Sequence, residues 1–309
     1  MSGRVIIVGA GVMGVRLVCH FARAGLDVAV VDPSTSSIDK ARAELEEAGL
    51  GTSGPTTVCI LFASRVSDLP DDWRHIDLAI EATPEKIGIK HAVLAELESW
   101  LPDDTLIASN TSGMTTAQLA QGMRCPERLA IAHFFNPADV IPVVEIVGYK
   151  TFPDARLQDL ASLLRRSGKI PAILRKETPG FVANRIQHAM MREAFHLVEE
   201  GVADTEVIDA IVRWALGVRL AFSGPFLQRD LNGLDTHLSI ASYLYPDLSA
   251  TSTPAQALSD LVSAGKTGRK AGEGFYCWDA SRVASAQITE KDLEAFIAMQ
   301  IVKEPTQHE

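Results

Sequence analysis

The chain has 309 residues, 47% hydrophobic and 22% charged, with a formal net charge of −10 at pH 7. That length favours two domains, the composition is that of a globular protein with a sizeable core, and the acidic balance argues against nucleic acid or anionic membrane as a partner. No apolar run approaches the roughly 18–20 residues that cross a bilayer. The start runs from "MSGR" straight into "VIIVG", leaving no room for a leader, so a cytoplasmic location is expected.

In chain order, "RVIIV" (4–8) and "VAVV" (28–31) read as short buried strands, with a helix over 12–25 between them closed by Gly25. A helix follows at 36–48, ended by Gly49. Further strands are predicted at 57–62, 76–81, 105–109, 129–134, 143–147 and 170–174, and helices at 84–100, 115–122 and 153–166. Strands alternating with helices predict a parallel, doubly wound α/β sheet of Rossmann type. Past "TPGF" the pattern changes. "VANRIQHAMMREAFHLVEEG" is a long amphipathic helix, and "DTEVIDAIVRWALG" is a second, with Asp204 as N-cap and Gly217 after its end. A boundary near 178 therefore separates an α/β domain, 1–178, from an all-helical domain, 179–309, whose last residues, "KEPTQHE", are expected to fray.

The four cysteines lie far apart, with no CxxC or Cys/His ligand spacing, and the eight histidines form no HxxxH pair. Reduced structural thiols and no metal site are expected.

"GAGVMG" supplies Gly9, Gly11 and Gly14 after a strand and at the start of a helix. The first glycine permits the tight turn, the second lets backbone approach a pyrophosphate, and the third lets helix and strand pack closely. Val12 and Met13 lie within this loop at the helix N-terminus, where phosphate charge is stabilised. Asp32 ends the second strand, where an acid bonds the adenosine ribose 2′-OH and repels a 2′-phosphate. The pattern predicts NAD rather than NADP.

"HFFNPADVIPVVEIV" is mostly apolar yet carries His133 and Glu145. If the two strands pair antiparallel about Asp139, midway between them, His133 sits directly across from Glu145. A buried carboxylate needs a partner, and an imidazole opposite it is the base-plus-orienter arrangement of general acid–base catalysis. From spacing alone, a structural His–Glu bond in the core is an equal alternative.

At this point the sequence resembles the 3-hydroxyacyl-CoA dehydrogenase family, nearly end to end. The motifs are "GAGVMG", "EATPEKIGIK", "SNTSG", "HFFNP…VEIV", "TPGFVANRI", "GPF…DLNGLD" and "GRKAGEGFY", in the family's order. The resemblance implies an NAD-dependent dehydrogenase of a 3-hydroxy acid or its thioester. It implies His133 as general base with Glu145 as its partner. Ser112 would bond the substrate oxygen and the cofactor region, and Asn184 would help hold the substrate carbonyl, with a helix residue bonding a loop as its bland alternative. Glu85, Lys90, Asn136 and Lys270 would be cofactor contacts. Lys90 and Lys270 have solvated charge as the bland alternative, and Ser112 has helix capping. The family's helical domain commonly makes a homodimer, for which the Met190–Met191 and Ile240–Leu244 stretches are candidates, although such stretches are more often core.

Three departures bear on the substrate. Arg16 stands where the family often has glycine, and either reaches toward the pyrophosphate or points to solvent. Gly113 replaces a serine of the family's S-N-T-S-S. Residues 33–75 are short for a CoA-binding member and hold Lys40, Arg42, Arg65 and Arg74 against seven acids, net −3. That is a poor cradle for a polyphosphate carrier. It directs attention to members acting on smaller 3-hydroxy acids, such as the L-gulonate and carnitine dehydrogenase types, or to ketoreductases of secondary metabolism. The β-hydroxyacid dehydrogenases share the glycine start but use a lysine on the helix after the sheet domain, and "PGFVANRIQHAM" has none. A non-catalytic NAD-binding protein is the remaining alternative, disfavoured by the intact His133, Glu145, Ser112 and Asn184.

Overall fold

The computed structural model describes residues 3–50 and 58–303. The first part of the chain lays down eight strands: β1 (Arg4–Val8), β2 (Asp27–Val31), β3 (Ile60–Ala63), β4 (Leu78–Glu81), β5 (Leu106–Ser109), β6 (Leu129–Phe134), β7 (Val143–Gly148) and β8 (Ile170–Ile173). They form one sheet in the order β3-β2-β1-β4-β5-β6-β7-β8. Every neighbouring pair is parallel except β6 and β7. The order reverses between β1 and β4, which opens the crevice at the strands' C-terminal ends where ligands of such sheets bind. The strands match the predicted ones to within two or three residues, and residue 57 of the third lies outside the described residues.

Alternation along the strands sorts the core into two faces. Val5, Ile7, Val28, Val30, Leu78 and Ile80 pack with α1 (Val12–Arg23), α2 (Thr35–Glu47) and α5 (Asp154–Arg166). Ile6, Val8, Ala29, Val31 and Ala79 pack with α3 (Ile87–Trp100) and the single turn α4 (Thr116–Leu119). Both faces of the sheet are covered, which is why its central strands read as unbroken apolar runs. The four-residue α4 is far shorter than its predicted span of 115–122. Gly122 lies just beyond in left-handed backbone, φ 89°.

The chain divides into two compact units: residues up to Val182 together with those from Glu294 onward, and Ala183–Leu293. The second unit is helical. It contains α6 (Ala183–Glu199), α7 (Thr205–Ile211), a π-helical stretch Val212–Gly217, α8 (Val218–Leu220), α9 (Pro225–Asn232), α10 (Leu234–Leu244), α11 (Gln256–Ser263) and most of α12 (Ala280–Lys303). Asp204 is at the N-cap of α7, as predicted, though its side chain makes no capping bond. Gly217 does not end that helix: with φ −56° it sits inside a continuous helical run, because the backbone widens to a π turn instead of breaking. The expectation of fraying at the C-terminus concerns mainly residues 304–309, outside the described residues. Among the described residues no helix is long and apolar enough to cross a membrane.

Candidate active site

The glycine loop joins β1 to α1 at the sheet's C-terminal edge, and its glycines have different physical reasons. Gly9 has φ +114°, and a Cβ there would lie 2.5 Å from the Ala82 carbonyl oxygen. A Cβ on Gly14 would lie 1.8 Å from the Gly9 oxygen, so this glycine sets the close packing of helix on strand. A Cβ on Gly11 would meet no protein atom within 4 Å. Gly11 is also the N-cap of α1, and no acidic residue occupies the first turn. The helix thus presents unsatisfied N–H groups and a positive dipole end to whatever anion approaches that open cradle. Val12, the first helical residue, is exposed there, and Met13 packs partly against the core.

Asp32 lies just past β2. Its Oδ2 accepts the Ala10 N–H at 2.8 Å and its Oδ1 the Ser34 N–H at 2.8 Å. The carboxylate therefore pins the glycine loop, and each oxygen keeps a lone pair for a ribose hydroxyl. The donor set fits a dinucleotide: an anion cradle at a helix N-terminus and an acid at the end of the second strand.

A buried network stands beside the loop. Glu81, fully buried at the end of β4, accepts from Thr83 N at 2.6 Å, Thr83 Oγ1 at 2.5 Å and Ser109 Oγ at 2.5 Å. Lys90 of α3 places its ammonium 3.0 Å from both Glu81 oxygens, 3.2 Å from the Thr83 carbonyl and 3.1 Å from Glu85 Oε2. Lys90 is 1% exposed and its donors are engaged inside the protein. It is not a solvated charge: its ammonium holds the Thr83–Glu85 turn from beneath. Glu85 is the part of this network that reaches the surface. Its Oε1 accepts from the Thr111 hydroxyl and from Ser112 N. Burial pushes the Glu85 carboxyl up, but the Thr111 hydroxyl, the Lys90 ammonium and the Ser112 N–H together hold it below its ordinary value. Ser112 is exposed and is not a helix cap: Thr115 caps α4 in a capping box with Gln118.

His133 and Glu145 face each other across the antiparallel β6–β7 pair, in the register that symmetry about Asp139 predicts. Each is 4% exposed, and His133 Nδ1 lies 2.9 Å from Glu145 Oε2. Glu145 Oε1 accepts the Val182 N–H at 2.9 Å. With Glu145 as its carboxylate partner, Nδ1 carries the ring proton and Nε2 presents a lone pair. The rings of Phe135 and Phe181 lie 4.6 and 5.2 Å from the imidazole and shield it from water. Phe181 holds left-handed backbone at φ 49°, a strained state for a non-glycine residue, and in that state the next N–H meets Glu145. Asn110 Oδ1 accepts the Phe134 N–H at 2.9 Å and fixes the end of β6. Asn136 follows on the loop, exposed, before a cis peptide to Pro137.

Arg16 keeps its side chain 43% exposed. With Arg23 it reaches Asp139, at 3.3 and 3.0 Å. Sequence reasoning gives no role to Glu81, Asn110 and Thr111, and names Asp139 only as the midpoint of the strand pair; the polar run "SNT" at the end of an apolar strand is the signal that marks Asn110 and Thr111. Asn184 and Lys270 belong to the helical unit. Asn184 opens α6 and is half-buried. Lys270 lies exposed in a glycine-rich turn where Lys266 pairs with Glu273 at 2.6 Å and Arg269 with Glu290 at 2.8 Å. Among the described residues Lys270 itself makes no ion pair.

Residues 4–178 match the family model for the 3-hydroxyacyl-CoA dehydrogenase NAD binding domain, and residues 180–278 match that for the 3-hydroxyacyl-CoA dehydrogenase C-terminal domain. The chain belongs to the 3-hydroxyacyl-CoA dehydrogenase family. It is an NAD-dependent oxidoreductase acting on CH–OH groups. Among its relatives is 5-formyl-3-hydroxy-2-methylpyridine 4-carboxylate 5-dehydrogenase of Mesorhizobium japonicum, 35% identical over 93% of this chain and 94% of the relative. A crystal structure of a 5-formyl-3-hydroxy-2-methylpyridine 4-carboxylic acid 5-dehydrogenase, described as an NAD+-dependent dismutase, superposes with a TM-score of 0.86 at 31% identity, covering 98% of both chains. The (S)-3-hydroxybutyryl-CoA dehydrogenase of Ralstonia eutropha superposes with a TM-score of 0.69 at 32% identity, covering 89% of this chain and 99% of that one.

Proposed function

We propose that this dehydrogenase oxidises a small, carboxylate-bearing 3-hydroxy compound, or reduces its keto form, without a CoA carrier, and that His133 is the general base with Glu145 as its orienter. The observation that carries the base assignment is the buried His133–Glu145 bond at 2.9 Å, which occupies Nδ1 and leaves Nε2 to take the hydroxyl proton. Bound NAD supplies the hydride acceptor. The protein's own part is to hold that proton transfer in place. Glu145 stabilises the imidazolium that forms, Phe135 and Phe181 keep water from the ring, and Ser112 and Asn184 orient the substrate oxygens. Gly9, Gly11, Val12, Met13, Gly14, Asp32, Glu85, Asn136 and Lys270 hold the dinucleotide, with Lys90 supporting Glu85 from inside.

The reading against CoA is supported by what the cations of residues 33–75 do. Arg42 stacks over the Phe62 ring at 3.9 Å, and Arg74 pairs with Asp71, donates to the Trp100 carbonyl and stacks on its ring at 5.1 Å. Two of the four basic residues there are thus engaged with their own neighbours. The higher structural similarity to the pyridine carboxylate enzyme than to the hydroxybutyryl-CoA enzyme points the same way. It also favours a second reading, in which the same base acts on the hydrate of an aromatic aldehyde. We place the enzyme in the cytoplasm as a homodimer built on the helical unit.

The test is NADH formation with (S)-3-hydroxybutyryl-CoA, L-gulonate, L-carnitine, 3-hydroxybutyrate and 5-formyl-3-hydroxy-2-methylpyridine 4-carboxylate, for the wild type and His133→Ala. We expect turnover of a carrier-free substrate and a loss of roughly a thousandfold in the variant. Turnover of the CoA ester alone overturns the substrate assignment, and full activity in His133→Ala overturns the base.

A further inference from the structure

The loop joining the two strands of the His133–Glu145 pair is tied to the cofactor helix by a buried anion. Asp139 lies at the tip of this connection, its side chain only 3% exposed. Arg16 Nη1 approaches it at 3.3 and 3.4 Å and Arg23 Nη1 at 3.0 Å. Both arginines belong to α1, two turns apart and therefore on one face. The opposite side of the loop is held by Lys169, 5% exposed, whose ammonium donates to the Ala138 carbonyl at 2.6 Å and to the Ile141 carbonyl at 2.7 Å. His20 of α1 bonds Ser167 at 3.0 Å, and Phe21 meets the Phe134 ring edge-on at 6.2 Å, so α1, the end of β6 and the turn before β8 form one packed block. α1 carries the phosphate cradle at its N-terminus, and the loop carries the acid–base pair at its two ends.

We propose that Asp139 is a positioning residue: its paired carboxylate locks the strand pair bearing His133 and Glu145 to helix α1, and so fixes the proton acceptor relative to the cofactor. This rests on the assignment of His133 as base. The physical argument is geometric. Hydride and proton leave adjoining atoms of one substrate, so the two acceptors must be held in register, and a misplacement near 1 Å is worth up to about a hundredfold in rate. A loop restrained only by its own turn, in which Val140 N and Ile141 N both bond to the Pro137 oxygen, does not fix its distance to another element. A buried carboxylate between two guanidinium groups does, because leaving it unpaired is strongly unfavourable.

The experiment compares Asp139→Asn, Arg16→Gln/Arg23→Gln and the triple variant, using the substrate from the panel above that gives the fastest NADH formation. We expect kcat to fall about tenfold in Asp139→Asn and in the arginine pair. We expect the primary deuterium isotope effect on kcat to rise, and NAD affinity, read from tryptophan fluorescence, to stay within about twofold. The triple variant should lose no more than either parent, because one link is removed in each case. Additive losses, or a fall in NAD affinity that matches the fall in kcat, overturn the proposal. Backbone amide exchange reads the same lock without any substrate. Exchange across 134–144 should accelerate in Asp139→Asn while β1 and β2 keep wild-type protection, and unchanged exchange in that segment overturns the proposal. The two readings fail separately: an active His133→Ala refutes the base, whereas a dead His133→Ala beside a fully active Asp139→Asn refutes only the lock.

Discussion

Glu145 commits each carboxylate oxygen to a different donor, Oε2 to His133 Nδ1 and Oε1 to the Val182 N–H, both at 2.9 Å. Glutamine has one acceptor oxygen, so in Glu145→Gln one donor must face an amide NH2, or the imidazole must move its proton to Nε2 and cease to be a base. We expect kcat to fall roughly a hundredfold with NAD affinity nearly unchanged, measured by steady-state kinetics and fluorescence titration; equal turnover would make Glu145 structural. His20 gives a pH prediction at the same scale. Burial, reinforced by Lys169 and then Arg23, lowers its pKa from 6.5 to about 3. Between those values the unfolded chain binds a proton that the folded one does not. This residue therefore lowers stability as pH falls through that window, with nothing lost above it. The expected loss is about 1 kcal/mol between roughly pH 7 and 5.5, seen as a drop in Tm. His20→Gln should flatten that part of the profile, and an unaltered slope would remove His20 as its source.

At the scale of elements, the strand–loop–helix unit around Gly9–Gly14 separates folding from binding. A methyl on Gly14 would lie 1.8 Å from the Gly9 oxygen, whereas one on Gly11 meets no protein atom within 4 Å. Gly14→Ala should lower Tm by several degrees along with NAD affinity. Gly11→Ala should leave Tm unchanged and weaken NAD binding by about tenfold or more, because only the approach of a pyrophosphate is obstructed. Calorimetry and NAD titration of the two variants check this, and a Gly11→Ala protein that binds NAD normally would remove the cradle from the site. The β6–β7 pair is the other element whose geometry follows from its sequence. A period-2 pattern with one polar residue per strand fixes which residues face each other once the midpoint is known.

Across the whole molecule, the two units differ in how they hide apolar surface. The sheet unit has buried clusters on both faces. Among the described residues of 183–293 only Ile208 and Gln228 are buried, while Phe226, Leu231, Leu238 and Tyr243 are 86%, 73%, 69% and 69% exposed. Met190 and Ile240, which composition alone assigns more readily to a core, are 38% and 39% exposed. So much exposed apolar surface supports the proposed homodimer. Sedimentation at micromolar concentration should give a dimer, and Leu238→Asp should give monomer or aggregate. A monomeric wild type would refute the dimer.

The amino-acid sequence by itself determined the sheet, the glycine cradle and the facing of His133 and Glu145. Each is written in a local pattern: period-2 runs, a loop of three glycines between strand and helix, and two polar residues placed symmetrically about a turn. Only the tertiary structure decided what long side chains do. Lys90 turns inward to Glu81, and Arg16 turns to Asp139. It also decided that many of the helical unit's large apolar residues are exposed. A flexible side chain picks its partner from whatever the fold brings within a few ångströms, and that neighbour lies 123 residues away for Arg16 and Asp139. Local periodicity fixes the path of the backbone and is silent about such pairings.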